Sequence, residues 1–400
     1  MAVLKLLLIC LLFLLLWLPI DFMLGRKKQL QKVTQRTFPL RHGDISLITY
    51  GKTLYETLFY EIECATNHIH ILFYIVKNDE VSQQFLALLK RKAKEGVEVR
   101  LLLDRIGSYR LSQRTIKSLR ASGVHFSFCH KIRLPFFFYS LNQRNHRKIT
   151  VIDGKIGYLG GFNIGKEYLG LNEELGKWRD YHLRIEGEGV QDLQEQFLHD
   201  WCDDTKEDLL KETRYFPTLP KGSMAHKFVP TDGAYLKHTF LELIHKAEDN
   251  LFIGTPYFIP NTEIIEALLQ AVKRGVTITI LVPLKADHPL VREAEFPSFR
   301  QLLAAGCNLY HYKDGFFHAK VILVDDVVCD IGTANFDLRS LFLNHEMNCL
   351  IYDKQFISHV KDVLQEDLAK SEEIPRDYFA HLSFAEKVKE KIAKLVATFM

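Results

Sequence analysis

Two short stretches of the chain carry the same three residue types at the same spacing. "NHRKITVID" (145–153) holds His146, Lys148 and Asp153, and "FHAKVILVD" (317–325) holds His318, Lys320 and Asp325. An imidazole with an ordinary pKa of about 6.5 serves near neutrality as a nucleophile, a base or an acid. A lysine two residues on adds positive charge. Asn163 and Asn335, each ten residues past its aspartate, add amide donors. That set suits a phosphoryl group, whose oxygens carry charge in the transition state. The β-branched runs "ITVID" and "VILVD" indicate strands. Residues i and i+2 of a strand point to one side, so each histidine should project with its lysine.

Duplication has a chemical use. Displacing an alcohol from a phosphodiester takes a nucleophile on one side and a proton donor at the leaving oxygen on the other. Two copies facing each other across a pseudo-two-fold axis supply both, one histidine becoming a phosphohistidine and the other acting as acid and then base. Such acid–base help is worth roughly 10²- to 10⁴-fold. Two lysines neutralise a phosphate, so neither a metal nor another cofactor is expected, and no carboxylate cluster suited to a metal is present. The residues leave open which histidine attacks. One copy alone would be an ordinary surface strand ending in a turn. Two copies, with Gly160 and Gly332 at matching offsets, are not coincidence. Asp153 and Asp325 close their strands and either join the chemistry or only brace it through turn hydrogen bonds.

The elements that must position these groups repeat as well. Residues 64–104 and 247–283 each read as an apolar strand, a turn, an amphipathic helix, a glycine and a second strand. Gly96 and Gly275 fall where a helix ends and a strand begins. Helix-plus-strand units imply an α/β fold with largely parallel or mixed sheets. The expected organisation is two pseudo-symmetric α/β halves over 45–205 and 225–370, with a Pro- and Gly-bearing linker at 206–224. The halves differ in one place. Gly123 to His146 is 23 residues and Gly306 to His318 is 12, so the first half has an insert around "RLPFFFYSLNQ" (133–143). Its apolar segment 134–140 is expected as a lipid-facing lip of the site, with a buried core strand as the alternative.

Both ends of the chain point to lipid. Leu6–Ile20 is an unbroken apolar run, and a helix over Leu6–Leu24 would be about 28 Å long, close to a hydrocarbon core. It has no polar face and no small-residue cleavage site, so a retained anchor over 1–25 is expected. Arg26, Lys27, Lys28, Lys32 and Arg36 follow it against Lys5 before it, which places the body in the cytoplasm. In the tail, 371–400, Val388, Ile392, Leu395, Val396 and Phe399 share a helical face, away from Lys387, Lys391 and Lys394. That is the pattern of a basic helix lying on anionic lipid, and equally of a last helix packed on the second half, since surface helices share this periodicity. Fifty-two basic against 49 acidic residues give a net charge of +3, too little to argue for nucleic acid. The seven cysteines, Cys10 among them, are scattered and form no C-x-x-C pair, which fits a reducing compartment.

On these residues the chain resembles the phospholipase D superfamily, which carries paired H-x-K-x-x-x-x-D motifs. Within it the chain is similar to bacterial cardiolipin synthases of the short, single-anchor kind. The segments carrying this are "RNHRKITVIDGKIGYLGGFNIG" (144–165), "WRDYHLRIEG" (178–187), "TPYFIP" (255–260), "DHPLVREA" (287–294) and "GTANFDLRSLFLNHEMN" (332–348). The resemblance implies transfer of a phosphatidyl group between two phosphatidylglycerols, with His146 as nucleophile and His318 as acid–base. Lys148, Lys320, Asn163 and Asn335 would bind the phosphate. It also implies that Asp180 holds His146 and Glu346 holds His318. A hydrolase or other phosphodiesterase shares the motif and is the alternative.

Overall fold

A computed structural model describes residues 2–399, apart from the side chains of residues 2, 7, 10, 11 and 399. The first half contributes strands β1 (Arg41–Tyr50), β2 (His68–Phe73), β3 (Glu98–Asp104), β4 (His125–Cys129), β5 (Ile149–Ile152), β6 (Ile156–Gly160) and β7 (Trp178–Gly187). The second contributes β8 (Met224–Asp232), β9 (Asn250–Gly254), β10 (Phe258–Ile259), β11 (Thr277–Pro283), β12 (Asn308–Tyr312), β13 (Phe316–Phe317), β14 (Val321–Val324), β15 (Val328–Gly332), β16 (Phe336–Asp337), β17 (His345–Ile351) and β18 (Ser371–Glu373).

The halves do not hold separate sheets, as two independent domains would. Their strands form one mixed sheet in the order β18-β12-β11-β9-β14-β15-β17-β8-β1-β7-β6-β5-β2-β3-β4. Read outward from the β8–β1 join, both arms use equivalent strands in the same sequence, which is the pseudo-two-fold. The join is antiparallel, from Arg41 opposite His226 to Gly43 opposite Met224. The outer strands β2-β3-β4 and β9-β11-β12 are parallel, as the helical crossovers require, and β18 closes the second arm antiparallel to β12.

Local sequence explains the elements. In β2, "HIHILF", every residue is buried, as a strand covered on both faces must be. The next helix, Glu80–Lys94, starts at Asp79, whose carboxylate accepts from Ser82 N at 2.9 Å. Gly96 and Gly275 take φ of +92° and +100°, the left-handed conformation expected after a helix. The central core draws on both halves. Leu183, Ile185 and Phe197 of the first pack in one cluster with Met347, Cys349 and Val360 of the second. The segment 206–224 is no free linker. Leu209 and Tyr215 are buried in that same core, and Tyr215 Oη donates to Glu98 at 2.7 Å.

The two ends are helical. The N-terminal helix covers Ala2–Leu30 and leaves Leu4, Leu8, Leu12 and Phe13 exposed. Counted over the described residues alone, no helix is long and apolar enough to cross a membrane, so the structure does not support the expected span. The far end of this helix is docked on the insert. Tyr139 N donates to Asp21 Oδ2 at 2.9 Å, and Phe22 meets the Tyr139 ring edge-on at 5.6 Å. The insert is neither a strand nor core. It forms a short helix, Phe137–Asn142, in which Tyr139 is buried while Phe137 and the preceding Leu134 are exposed. The C-terminal helix, Phe384–Val396, carries a capping box at Ser383 and Glu386. The side chain of Phe399, expected on its apolar face, lies outside the described residues.

Candidate active site

Each motif begins in a buried segment just ahead of its strand. β5 and β14 begin at Ile149 and Val321, so the histidines and lysines stand just ahead of the regular strand and not within it. What fixes them there is the opposite half. His146 N donates to His345 O at 2.9 Å and His345 N to Arg144 O at 2.9 Å, so the first motif is strapped to the start of β17. His318 N donates to Arg179 O at 2.7 Å, and β13 pairs in parallel with the start of β7. One residue beyond each strap stands an acid, Glu346 on β17 and Asp180 on β7.

The carboxylates therefore serve the histidines of the other half. Glu346 lies 3.0 Å from His146 Nδ1, and Asp180 lies 2.5 Å from His318 Nδ1. This reverses the expected pairing of Asp180 with His146 and Glu346 with His318. The cause is the strap: the strand carrying an acid runs beside the partner motif, so the acid's own motif is out of reach. Both acids are held in turn. Thr333 Oγ1 and Ser340 Oγ donate to Glu346 at 2.6 and 2.8 Å. Tyr181 N and Trp178 Nε1 donate to Asp180 at 2.8 and 3.4 Å. Gly161 packs against Asp180 so closely that a Cβ there would sit 2.0 Å from Oδ1.

His146 and His318 line one cavity of about 1140 Å³, together with Asn163 and Asn335. Each Nδ1 is engaged by a carboxylate, which leaves Nε2 as the ring nitrogen for chemistry, open at His146 and beside Lys320 at His318. Asn163 Oδ1 accepts from Ile75 N at 3.0 Å, which turns its amide nitrogen toward Tyr168 and the cavity both residues line. Asn335 is braced by Asp337 at 3.0 Å. Lys148 Nζ donates to His146 O at 2.6 Å, and Lys320 Nζ lies 3.1 Å from His318 Nε2.

Burial governs the electrostatics. Desolvation pushes both imidazoles down to about 4; Glu346 resists this at His146, and at His318 Lys320 adds to it while Asp180 resists. Desolvation also lowers Lys148 to about 7 and Lys320 to about 8, against the pull of the nearby carboxylates. Burial alone would raise Asp180 and Glu346. Lys320 and His318 outweigh it at Asp180, and His146 and Lys148 at Glu346, so both acids titrate below their ordinary range.

Asp153 and Asp325 lie outside the cavity. Asp153 accepts from the backbone N–H groups of Thr66, Asn67 and His68 at 2.8–2.9 Å. Asp325 does the same for Glu248, Asp249 and Asn250 at 2.6–2.9 Å. Each pins the start of a neighbouring strand to the end of the motif strand, with φ of +53° and +49°. Their place is structural, by geometry.

Sequence reasoning missed three groups in the cavity wall. Tyr74 meets the His146 ring edge-on at 5.0 Å and lies 5.4 Å from Lys148 Nζ. Tyr257, at the equivalent turn of the second half, donates to Asp287 Oδ2 at 2.6 Å. The other oxygen of Asp287 is buried without a protein partner, and its charge is felt at His318 and Lys320. The signal was the paired "FYIV" and "PYFIP" turns, whose tyrosines fall at one repeat position.

The sequence matches the family described as "Cardiolipin synthase, PLD-like domain" over residues 58–201 and 240–368. The minor cardiolipin synthase ClsB of Bacillus subtilis is 44% identical over 381 residues, 95% of each chain. Cardiolipin synthase 2 of Staphylococcus epidermidis is 38% identical over 364 residues, 90% of this chain and 75% of that one. Among solved structures, phosphatidylserine synthase of Haemophilus influenzae superposes with a TM-score of 0.71 at 18% identity, covering 94% of this chain and all of that one. Polyphosphate kinase of Porphyromonas gingivalis gives 0.57 at 15% identity, over 89% of this chain and 54% of that one. At such identities these two likenesses speak to the fold.

Proposed function

The chain belongs to the cardiolipin synthase family of phospholipase D-like proteins, and from that footing we propose that it condenses two phosphatidylglycerols into cardiolipin and glycerol. One observation carries the reading. Two imidazoles face one cavity, each with Nδ1 held by a buried carboxylate; Nε2 of His146 is open and that of His318 lies 3.1 Å from Lys320 Nζ. In the first step His146 Nε2 attacks phosphorus and the P–O bond to glycerol breaks. His318, having taken a proton from solvent at Nε2 as the substrate enters, gives it to the departing oxygen. The entering phosphodiester anion raises the proton affinity of His318, which burial otherwise depresses. Lys148, Lys320, Asn163 and Asn335 hold the phosphate oxygens. In the second step His318 takes the proton of a hydroxyl on the second phosphatidylglycerol. That oxygen attacks phosphorus and His146 departs. The order rests on the family resemblance, since the halves are nearly symmetric.

Acid-quenched trapping with phosphorus-labelled substrate tests it. His318→Asn should accumulate label on His146, and His146→Asn should carry none. Label on His318 in the His146→Asn variant would reverse the roles, and the absence of any covalent species would sink the two-step scheme. Phosphatidic acid as sole product would make the protein a hydrolase. Chelators should leave the rate unchanged.

The N-terminal helix is proposed as a single membrane anchor with the body on the cytoplasmic side. Its support is the unbroken apolar run Leu6–Ile20 and the cluster of lysines and arginines that follows. Alkaline extraction of membranes tests this: an anchored chain stays in the pellet, and release into the supernatant would refute the span.

A further inference from the structure

The C-terminal helix is held to the body by one side only. Glu386 pairs with Arg292 at 2.7 Å, Glu390 with Arg300 at 3.0 Å, and Ala393 is fully buried beside Ala294 and Ile259. These residues recur at helical spacing, so one face is committed to the helix Val291–Ala305. The opposite side carries Phe384 at 83% exposure and Leu395 at 82%, with Val388 and Ile392 also exposed. Lys387, Lys391 and Lys394 are exposed alongside them. A protein that merely closes its fold with a last helix turns the apolar stripe inward and the charges outward. Here the docked face holds the acids and a small residue, while the large apolar groups stand in solvent next to lysines.

The position of this face is as informative as its composition. The helix runs into the turn Ala397–Phe399, which packs on the short helix Leu338–Phe342. The guanidinium of Arg26, near the end of the N-terminal helix, lies over the ring of Phe342 in that same short helix, at 5.5 Å. Arg339 of that short helix donates to Asn142 O of the insert at 2.8 Å. Lys389 on the C-terminal helix lines the cavity that holds His146 and His318, and so does Leu141 of the insert. Both terminal helices, the exposed insert and the cavity thus converge on one short helix.

We propose that the exposed face of Phe384–Val396 is a docking surface for an anionic bilayer, with Phe384, Val388, Ile392 and Leu395 entering the interface and Lys387, Lys391 and Lys394 meeting lipid phosphates. Charge complementarity selects anionic lipid over a second copy of the chain, whose own exposed face would bring like charges together. Docking there brings the bilayer to the rim of the cavity independently of the N-terminal helix. It concerns binding, and stands whether or not the transfer chemistry is as proposed above.

The experiment uses the full-length chain reconstituted in vesicles. A Phe384→Trp variant reports burial, its emission taken as the difference from the parent chain. Vesicles are phosphatidylcholine brominated on the acyl chains, with or without phosphatidylserine, which carries the negative charge without being the substrate. Quenching should require phosphatidylserine and fade with salt. Reversing Lys387, Lys391 and Lys394 to Glu should lower the local docking equilibrium by about a hundredfold or more, since each basic residue near an anionic surface is worth about fivefold. That triple variant should keep full activity on short-chain phosphatidylglycerol dispersed in detergent, which shows a folded protein and separates this test from the chemistry. Quenching that ignores lipid charge or the triple reversal, or its complete absence, would overturn the proposal. So would a blue shift without quenching that grows with protein concentration, which would mean that a second copy covers the face.

Discussion

At the residue scale the crossed carboxylates decide what each variant should do. If His146 attacks and His318 shuttles protons, then Glu346 orients the nucleophile and Asp180 orients the acid–base. Asp180→Asn should therefore slow both the formation and the breakdown of the covalent phosphatidyl-enzyme, losing roughly 10²- to 10⁴-fold in rate. Glu346→Gln should instead slow chiefly the formation of that species. Burst kinetics with labelled phosphatidylglycerol distinguish the two, and the opposite assignment of defects would mean that the acids serve their own halves. The buried lysines set a pH limit. Burial lowers Lys148 to about 7 and Lys320 to about 8, so the free protein loses positive charge as pH rises through this window. The histidines, at about 4, stay neutral until far lower pH. Because His318 must take up a proton to act as acid while the free imidazole titrates at about 4, kcat/KM on detergent-dispersed substrate should rise about tenfold per unit as pH falls from 7 to 5, and fall more steeply than that from 7 to 9 as the lysines lose charge. An unchanged slope up to pH 9 would show that the lysines keep their charge. The histidines, lysines and asparagines were legible because chemistry constrains residue type and spacing. The pairing of the acids was not, because it depends on which strands lie side by side.

At the element scale the insert is a short helix and not the buried core strand of the alternative, and we propose its exposed apolar groups as the lipid-facing lip. Its aromatic run is a short helix that seats the end of the N-terminal helix and leaves Leu134, Phe137 and Ile132 in solvent. A strand was a fair alternative, since a short apolar run has no periodicity to tell strand from helix. Replacing Phe137 with serine removes no core contact, so its effect on unfolding should stay within about 0.5 kcal/mol. Activity on bilayers should drop while activity on dispersed short-chain lipid is kept. A marked loss of thermal stability would instead make Phe137 a packing residue. The strand–helix–strand units of both halves were readable because periodicity of 2 and 3.6 residues is a local property. So were the glycines at Gly96 and Gly275, since the left-handed conformation excludes most side chains. The role of 206–224 was not readable. Tyr215 is buried by His68 and His70 from a distant strand, and a proline-bearing segment looks the same whether it packs or not.

At the scale of the whole molecule the two halves behave as one body, because neither completes its own site. Arg147 states this in a single side chain. It belongs to the first motif, yet its guanidinium reaches Asp200 at 2.6 Å in the first half and Asp232 at 2.5 Å in the second. It also donates to Thr231 O and Glu346 O at 3.0 Å. The second motif has Ala319 in the corresponding place, so this bolt is used once. Desolvation disfavours the buried charge, but the two aspartates more than offset it and raise the guanidinium pKa. Removing one member of such a buried network leaves the others charged and unpaired, at a cost of about 3–5 kcal/mol. Arg147→Met should therefore lower stability by about that amount. Urea unfolding followed by tryptophan emission and by far-ultraviolet circular dichroism should give coincident curves for both proteins, since the sheet runs unbroken from β4 to β18. Adding Asp200→Asn and Asp232→Asn to Arg147→Met should recover much of the loss, because the cost lies in stranded charge more than in missing contact. If the triple variant were no more stable than Arg147→Met, the bolt would act through packing. If the two probes separated in Arg147→Met, the halves would be independent domains, and the crossed pairing of histidine and acid would have to survive their parting.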